Sequence, residues 1–126
     1  MTVLNRHLLI LLVFVIGVSP AAFAAGDAVH GKQIFQRCAI CHKVEKGAGG
    51  GLGPNLFGVF GRKAASEPGF NYSGVFKRSG LTWTEDNLVK WVSGPAKMVP
   101  GTKMAFAGLT AKKDQADVVA YLATLK

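Results

Sequence analysis

The sequence predicts a small all-α fold in which a few helices are joined by long loops, and three observations lead to this prediction. Apolar residues recur at spacings of three or four in several segments of the 126-residue chain. No window alternates apolar and polar residues as a strand does. The stretch 43–61 is so rich in glycine that it cannot be a regular element. Loops of that length are ordered only when they have something to pack against.

The first 24 residues resemble a secretory signal peptide. An apolar run from Leu8 to Val18 follows a basic start, and small residues ending in Ala24 and Ala25 come next. The run is shorter than the roughly 20 residues that span a bilayer as a helix. We therefore expect cleavage after Ala24 or Ala25 and a single domain over residues 25–126, with an uncleaved membrane anchor as the alternative.

The first and last predicted helices lie near the two ends of this domain. Asp27 is a suitable N-cap for a helix that runs to His42, and its apolar face comprises Gly31, Ile34, Phe35, Cys38 and His42. The last helix covers residues 110–125 and has Val118, Tyr121, Leu122 and Leu125 on one face.

The remaining helix is predicted in the second half of the chain. Thr82 and Glu85 have the spacing of a capping box, and the helix that they begin ends at Gly94-Pro95. Segments 62–81 and 95–109 are predicted as irregular chain, with one short helical turn in the first of them.

The segment Cys38-Ala39-Ile40-Cys41-His42 is a covalent haem-attachment motif. Its two thiols lie close to one turn apart, a spacing that can reach both vinyl groups of a haem and form thioethers. The histidine follows directly, so its imidazole can bind the iron. We therefore expect one haem c, bound through Cys38 and Cys41 and ligated by His42.

Two other kinds of site use closely spaced cysteines. A thioredoxin-like redox pair uses the same C-x-x-C spacing, but it occurs beside a βαβ unit that this sequence does not predict. A zinc site needs four ligands, and outside the motif the only other Cys or His in residues 25–126 is His30.

The motif and several further segments resemble the class I cytochromes c, which include mitochondrial cytochrome c and bacterial periplasmic relatives. The resemblance extends from Gly31 to Leu122. The matching segments are GPNL at 53–56, FGRK at 60–63, PGFNY at 68–72, LTW at 81–83, PGTKM at 100–104 and FAG at 106–108. It implies three main helices with long loops wrapped around the haem, and a close crossing of the first and last helices at Gly31 and Phe35.

The resemblance also implies the remaining contacts of the haem. Met104 becomes the second axial ligand, although Met98 is another methionine of the domain. The Pro54 carbonyl accepts a hydrogen bond from the Nδ1 atom of His42, which fixes the tautomer of the ring.

Further implied contacts concern the haem propionates and the surrounding side chains. Tyr72 and Trp83 match side chains that hydrogen-bond a propionate, and Arg62 lies near enough to offset its charge. Two positions depart from the family: Trp91 stands where a tyrosine is common and Phe76 where an asparagine is common. Trp donates a single hydrogen bond and Phe none, so the internal polar network differs.

The chain has a formal net charge of +8. Basic side chains near the segments expected to frame the haem edge would steer it onto acidic docking surfaces of redox proteins. These basic residues include Lys32, Arg37, Lys43, Lys46, Lys97 and Lys103. The resemblance suggests a cytochrome bc complex, a terminal oxidase, a photosynthetic reaction centre or a periplasmic dehydrogenase as partners. Nucleic acid is not expected, because no nucleic-acid module is present.

These observations predict a soluble, monomeric one-electron carrier of the periplasm. With His42 and Met104 both on the iron, no position remains for a substrate, so we do not expect an enzyme. Two alternatives are a peroxidase or gas-binding protein, which would need Met104 off the iron, and an electron-transfer subunit or membrane-anchored cytochrome dedicated to one enzyme.

Overall fold

The computed structural model describes residues 25–126, so the predicted signal peptide at residues 1–24 lies outside the described part. The described chain forms five α-helices: α1 (Ala28–Ile34), α2 (Gly74–Lys77), α3 (Glu85–Ser93), α4 (Pro95–Met98) and α5 (Lys112–Leu122). Between residues 25 and 126 there is no strand, only an isolated antiparallel bridge. The all-helical prediction is confirmed, with α1, α3 and α5 as the main helices. No helix of this region has the length and apolar character that a membrane span requires.

The first helix begins as predicted but changes geometry before its predicted end. The Asp27 side chain accepts hydrogen bonds from the backbone N–H groups of Val29 and His30, at 2.9 and 3.1 Å. Regular α-helix ends at Ile34, and a 3-10 turn over Phe35–Arg37 follows. Tighter turns are common at helix ends, where the last carbonyls need other partners.

The predicted capping box of α3 is wrong. Thr84, not Thr82, is the N-cap, and its hydroxyl accepts the backbone N–H of Asn87 at 3.2 Å. Thr82 pairs with Lys63 in the isolated antiparallel bridge, so its backbone belongs to that bridge and the helix begins after it. The predicted end of α3 is confirmed, since its C-cap is Gly94.

A short helix, α4, occupies the start of the segment predicted as irregular at 95–109. Pro95 stands at its first position, where the fixed φ angle of proline suits a helix and the missing N–H would have no partner. The prediction treated this proline only as the end of the preceding helix. The rest of the segment, 99–109, is irregular.

Helices α1 and α5 cross closely, and a glycine makes the close approach possible. Gly31 is buried, and a Cβ atom at this position would collide with the backbone carbonyl oxygen of Asp117. One turn further, the rings of Phe35 and Tyr121 pack with their centroids 5.2 Å apart. Val118 beside them is 1% exposed. The contact implied by the resemblance is therefore present.

The buried carboxylate of Asp117 ties the two helices together. Its Oδ1 atom accepts the backbone N–H of Asp27 at 2.7 Å, while Oδ2 lies 2.7 Å from His30 Nδ1 and 2.5 Å from Lys113 Nζ. The bond from Lys113, and then those from Asp27 and His30, lower the pKa of Asp117 to about 2. These donors stabilise the charged carboxylate in the folded chain.

We expect Asp117→Asn to destabilise the protein at neutral pH and to change how stability depends on acid. The pKa of Asp117 is lowered from 3.8 on folding, so its stabilising contribution is present above about pH 4 and is lost as pH falls toward 2. Guanidinium unfolding at several pH values measures the free energy of unfolding of each protein. The difference in this free energy between wild type and variant should become smaller as pH falls through this range. Asp114→Asn, on the same helix, is the control. A constant difference between wild type and Asp117→Asn would contradict this account.

Candidate functional site

A cavity of about 340 Å³ lies inside the described chain, between the two crossing helices, α3 and the long loops. Its wall is mostly apolar, so it suits a large hydrophobic ligand. The buried aliphatic and aromatic side chains of the wall include Phe35, Val59, Leu88, Val92, Val118 and Leu122.

The attachment motif stands at one edge of this cavity. Cys38, Cys41 and His42 all line it. The backbone N–H groups of Cys41 and His42 both donate to the Cys38 carbonyl, at 3.0 and 2.9 Å. This turn keeps the two thiols and the imidazole on the cavity side of the chain. The local helical geometry therefore presents the whole motif to one ligand.

The surroundings of the cysteines do not favour the two alternative interpretations. Burial raises the pKa of the Cys38 thiol; the charge of Arg37 opposes this rise and Cys41 adds to it. A redox-active C-x-x-C pair has a lowered thiol pKa instead. Within residues 25–126 no group of three or more His, Cys, Asp or Glu side chains comes together as a metal site would need.

The imidazole of His42 is held in one tautomer. Its Nδ1 atom lies 2.7 Å from the Pro54 carbonyl oxygen, and because a carbonyl only accepts, Nδ1 carries the proton. Burial lowers the pKa of His42, while the bond to Pro54 acts in the opposite direction. The ring is therefore neutral, and Nε2 keeps a lone pair that can bind a metal.

Gly53 leaves the space that this ring occupies. A Cβ atom there would lie 2.5 Å from His42 Cε1 and 2.8 Å from Nδ1, so any side chain would displace the ring. The backbone N–H of Gly53 also donates to the Cys41 carbonyl at 2.9 Å. In the sequence Gly53 belongs to the matched segment GPNL at 53–56, but its contact with the His42 ring was not predicted.

Met104 lines the same cavity, reached from the irregular segment after α4. Met98, the other candidate, lies at the end of α4 and packs against the core without lining this cavity. The imidazole of His42 and the thioether of Met104 therefore both line this cavity.

Three further predicted residues, Arg62, Tyr72 and Trp83, also line the cavity. The backbone N–H of Trp83 donates to the Arg62 carbonyl at 2.8 Å, which brings these two residues to one wall. The Tyr72 hydroxyl accepts the backbone N–H of Glu67 at 3.2 Å, so its own proton is free to be donated. Burial raises the pKa of Tyr72, which keeps that proton in place at neutral pH.

Arg62 has one buried donor without a partner. Its Nη1 atom donates to the Phe57 carbonyl at 3.1 Å and to Glu67 Oε2 at 3.0 Å, and Nη2 donates to the Asn55 carbonyl at 3.0 Å. Its Nε atom is buried and has no hydrogen-bond partner in the described chain. A buried donor of this kind needs an acceptor, so this wall suits a ligand with acidic groups.

Two residues that position this wall were missed from the sequence. Asn55 is 4% exposed, and its Nδ2 atom donates to the Glu45 and Ala48 carbonyls, both at 2.8 Å. These bonds close the glycine-rich loop. Glu67 forms the ion pair with Arg62. Asn55 lies in the matched segment GPNL and Glu67 directly precedes the matched segment PGFNY, but the role of each depends on partners brought in by the loop.

The two departures from the family pattern belong to one aromatic cluster. Phe76 and Trp91 pack with their ring centroids 5.1 Å apart, and Phe76 also stacks on Tyr72 at 5.5 Å. Trp83 lies 5.3 Å from Trp91. Apolar ring packing therefore occupies the two positions at which the resemblance implied polar groups.

The residues around the cavity fit a haem. They offer two thiols one turn apart, a neutral imidazole, a thioether, an apolar wall and a buried arginine donor for acidic groups. Sequence and fold comparisons agree with this fit. The family model for cytochrome c matches residues 28–126.

Similar proteins include cytochrome c2 of Rhodomicrobium vannielii, which is 54% identical over 84% of this chain and 85% of its own length. Cytochrome c of Euglena viridis is 47% identical over 80% of this chain and 99% of its own. The solved structure of cytochrome cH from Methylobacterium extorquens has a TM-score of 0.74 and 45% identity, covering 79% of this chain and 99% of its own. The chain belongs to the cytochrome c family, whose members carry electrons on a covalently bound haem c.

Proposed function

We propose that this protein is an exported one-electron carrier in which two side chains of the chain would ligate the haem iron. Cys38 and Cys41 would hold the haem through thioethers, and His42 and Met104 would ligate the iron. The observation that carries this proposal is that all four side chains line one cavity. When bound, the haem supplies a one-electron couple at its iron.

The protein residues would set the properties of that couple. His42 presents Nε2 because its Nδ1 proton is engaged by Pro54. The soft sulfur of Met104 favours the reduced iron, and the apolar wall disfavours the extra positive charge of the oxidised state. With His42 and Met104 both on the iron, a substrate would have to displace one of these side chains in order to bind. We therefore infer that the chain is not an enzyme.

We further propose that Arg62, Tyr72 and Trp83 bind the acidic groups of the haem. The support is the buried Arg62 Nε atom without a partner and the Tyr72 hydroxyl proton that remains free to be donated. Donors already in place cost little reorganisation when a charged group is buried beside them.

The ligand assignment predicts a specific result for Met104→Ala. The variant should keep its haem covalently attached, lose the weak long-wavelength iron–sulfur absorption band of the oxidised state, and bind added imidazole or cyanide far more readily. Met98→Ala is the matched control and should keep the band. If Met104→Ala kept the native band and potential, the ligand would have to be another residue. If wild type itself lacked the band, the enzyme alternative would gain support.

The mouth of the cavity carries exposed basic and apolar side chains. Arg37, Lys63 and Lys103 line it, and Lys103 Nζ donates to the Asn71 carbonyl at 3.1 Å. Next to the motif, Leu52 is 81% exposed. We propose that this face docks onto acidic surfaces of redox complexes, with charge steering the encounter and apolar contact completing it. We propose a cytochrome bc complex, a terminal oxidase, a photosynthetic reaction centre or a periplasmic dehydrogenase as the partner.

Charge removal at this mouth should slow electron transfer at low salt. For the double variant Arg37→Gln/Lys103→Gln, we expect reduction by a purified cytochrome bc complex to slow by about threefold to tenfold. The difference should shrink at high ionic strength. The double variant Lys112→Gln/Lys126→Gln carries the same charge change on α5 and the C-terminus, and it should stay near the wild-type rate. Equal slowing in both double variants would indicate a general charge effect and contradict this docking face.

We propose that residues 1–24 direct export and are removed, so that the haem is attached in the periplasm. Full-length protein expressed in a bacterium with haem-attachment machinery should be found in the periplasmic fraction. Its intact mass should match a chain starting at Ala25 or Gly26 plus one haem. Recovery in the membrane fraction with residues 1–24 retained would support the anchored alternative instead.

A further inference from the structure

Glu67 forms a partly buried ion pair with Arg62 at the wall of the cavity. The Glu67 Oε2 atom lies 3.0 Å from Arg62 Nη1, and the two side chains are 22% and 23% exposed. Backbone carbonyls take the other contacts of the guanidinium, so Glu67 supplies the only negative charge among its hydrogen-bond partners in residues 25–126.

The loop that carries Glu67 holds it in this place. Ala65 adopts a left-handed conformation with φ 59°, which is unfavourable for a residue with a side chain and is kept only where surrounding contacts impose it. The Ser66 hydroxyl donates to the Lys63 carbonyl at 2.6 Å. The Glu67 N–H donates to the Tyr72 hydroxyl at 3.2 Å. These contacts hold the Glu67 carboxylate against Arg62, which lines the cavity, while Glu67 stands directly behind that wall.

A fixed negative charge here acts on the energy of the oxidised centre. Loss of one electron to a partner leaves the centre with one more positive charge, which Arg62 disfavours and a neighbouring carboxylate favours. Charges in partly buried positions still interact, with an effective dielectric constant of about 20. Because the negative charge of Glu67 offsets the positive charge of Arg62, it shifts the equilibrium between the reduced and oxidised states toward the oxidised state.

We propose that Glu67 lowers the reduction potential of this cytochrome by partly neutralising Arg62. This inference rests on the proposed function, in which the cavity holds the haem beside Arg62. It assigns a tuning role to a residue outside the ligand set and outside the matched motifs.

Redox titration of the holoprotein tests this role. Glu67→Gln keeps an oxygen acceptor for Arg62 but removes the charge, and it should raise the midpoint potential. The expected change is about threefold to tenfold in the equilibrium constant for electron exchange, which is about 30–60 mV for one electron. Glu67→Asp retains the charge and should shift the potential by less than half as much.

Asp86→Asn is the matched control, because Asp86 is exposed in the first turn of α3 and belongs to none of the ion pairs found in residues 25–126. It should leave the potential nearly unchanged. Three results for Glu67→Gln would overturn the proposal. The midpoint potential could change no more than in Asp86→Asn, it could fall, or it could rise together with loss of the iron–sulfur band. If wild type has the normal band but Glu67→Gln does not change the midpoint potential, only this inference is wrong. If wild type lacks the band, the proposed ligation by Met104 is wrong.

Discussion

The close crossing of α1 and α5 is the contact on which the cavity depends. Gly31 lets the backbone of one helix touch the carbonyl of Asp117 on the other. This approach places Phe35 and Val118 on one wall of the cavity, and the attachment motif begins directly after the 3-10 turn that follows α1. Two helices from opposite ends of the domain therefore position the site, although each is too short to be stable alone.

The long loops obtain their order from the motif and from the cavity. The carbonyl of Pro54 accepts a hydrogen bond from His42 Nδ1, and the N–H of Gly53 donates one to the Cys41 carbonyl. Asn55 closes the same loop from inside. The contacts that order the glycine-rich chain are thus the contacts that orient the imidazole. Loop structure and ligand geometry depend on each other, which explains how so much irregular chain belongs to a compact domain.

Polar groups are concentrated at one side of an otherwise apolar cavity. Arg62 directs its outer donors to backbone carbonyls and Glu67, and keeps Nε inside. The packed rings of Phe76 and Trp91 fill the interior without adding acceptors. An electron carrier of the cytochrome c family benefits from this separation, because an apolar surround limits the reorganisation of polar groups when the charge of the centre changes.

Periodicity and the C-x-x-C-H spacing are local properties of the chain, so the helical class, the three main helices and the covalent motif could be predicted from the sequence. Recognition of the family added Met104, and the structure separates it from Met98 through the cavity that only Met104 lines. Tertiary structure decided the rest. The choice of Thr84 over Thr82 as N-cap depended on the bridge to a distant residue. The roles of Gly53, Asn55 and Glu67 depend on which groups the folded loops bring into contact. Residue type and spacing along the chain do not predict such contacts, because the conformation of the loops decides which groups meet.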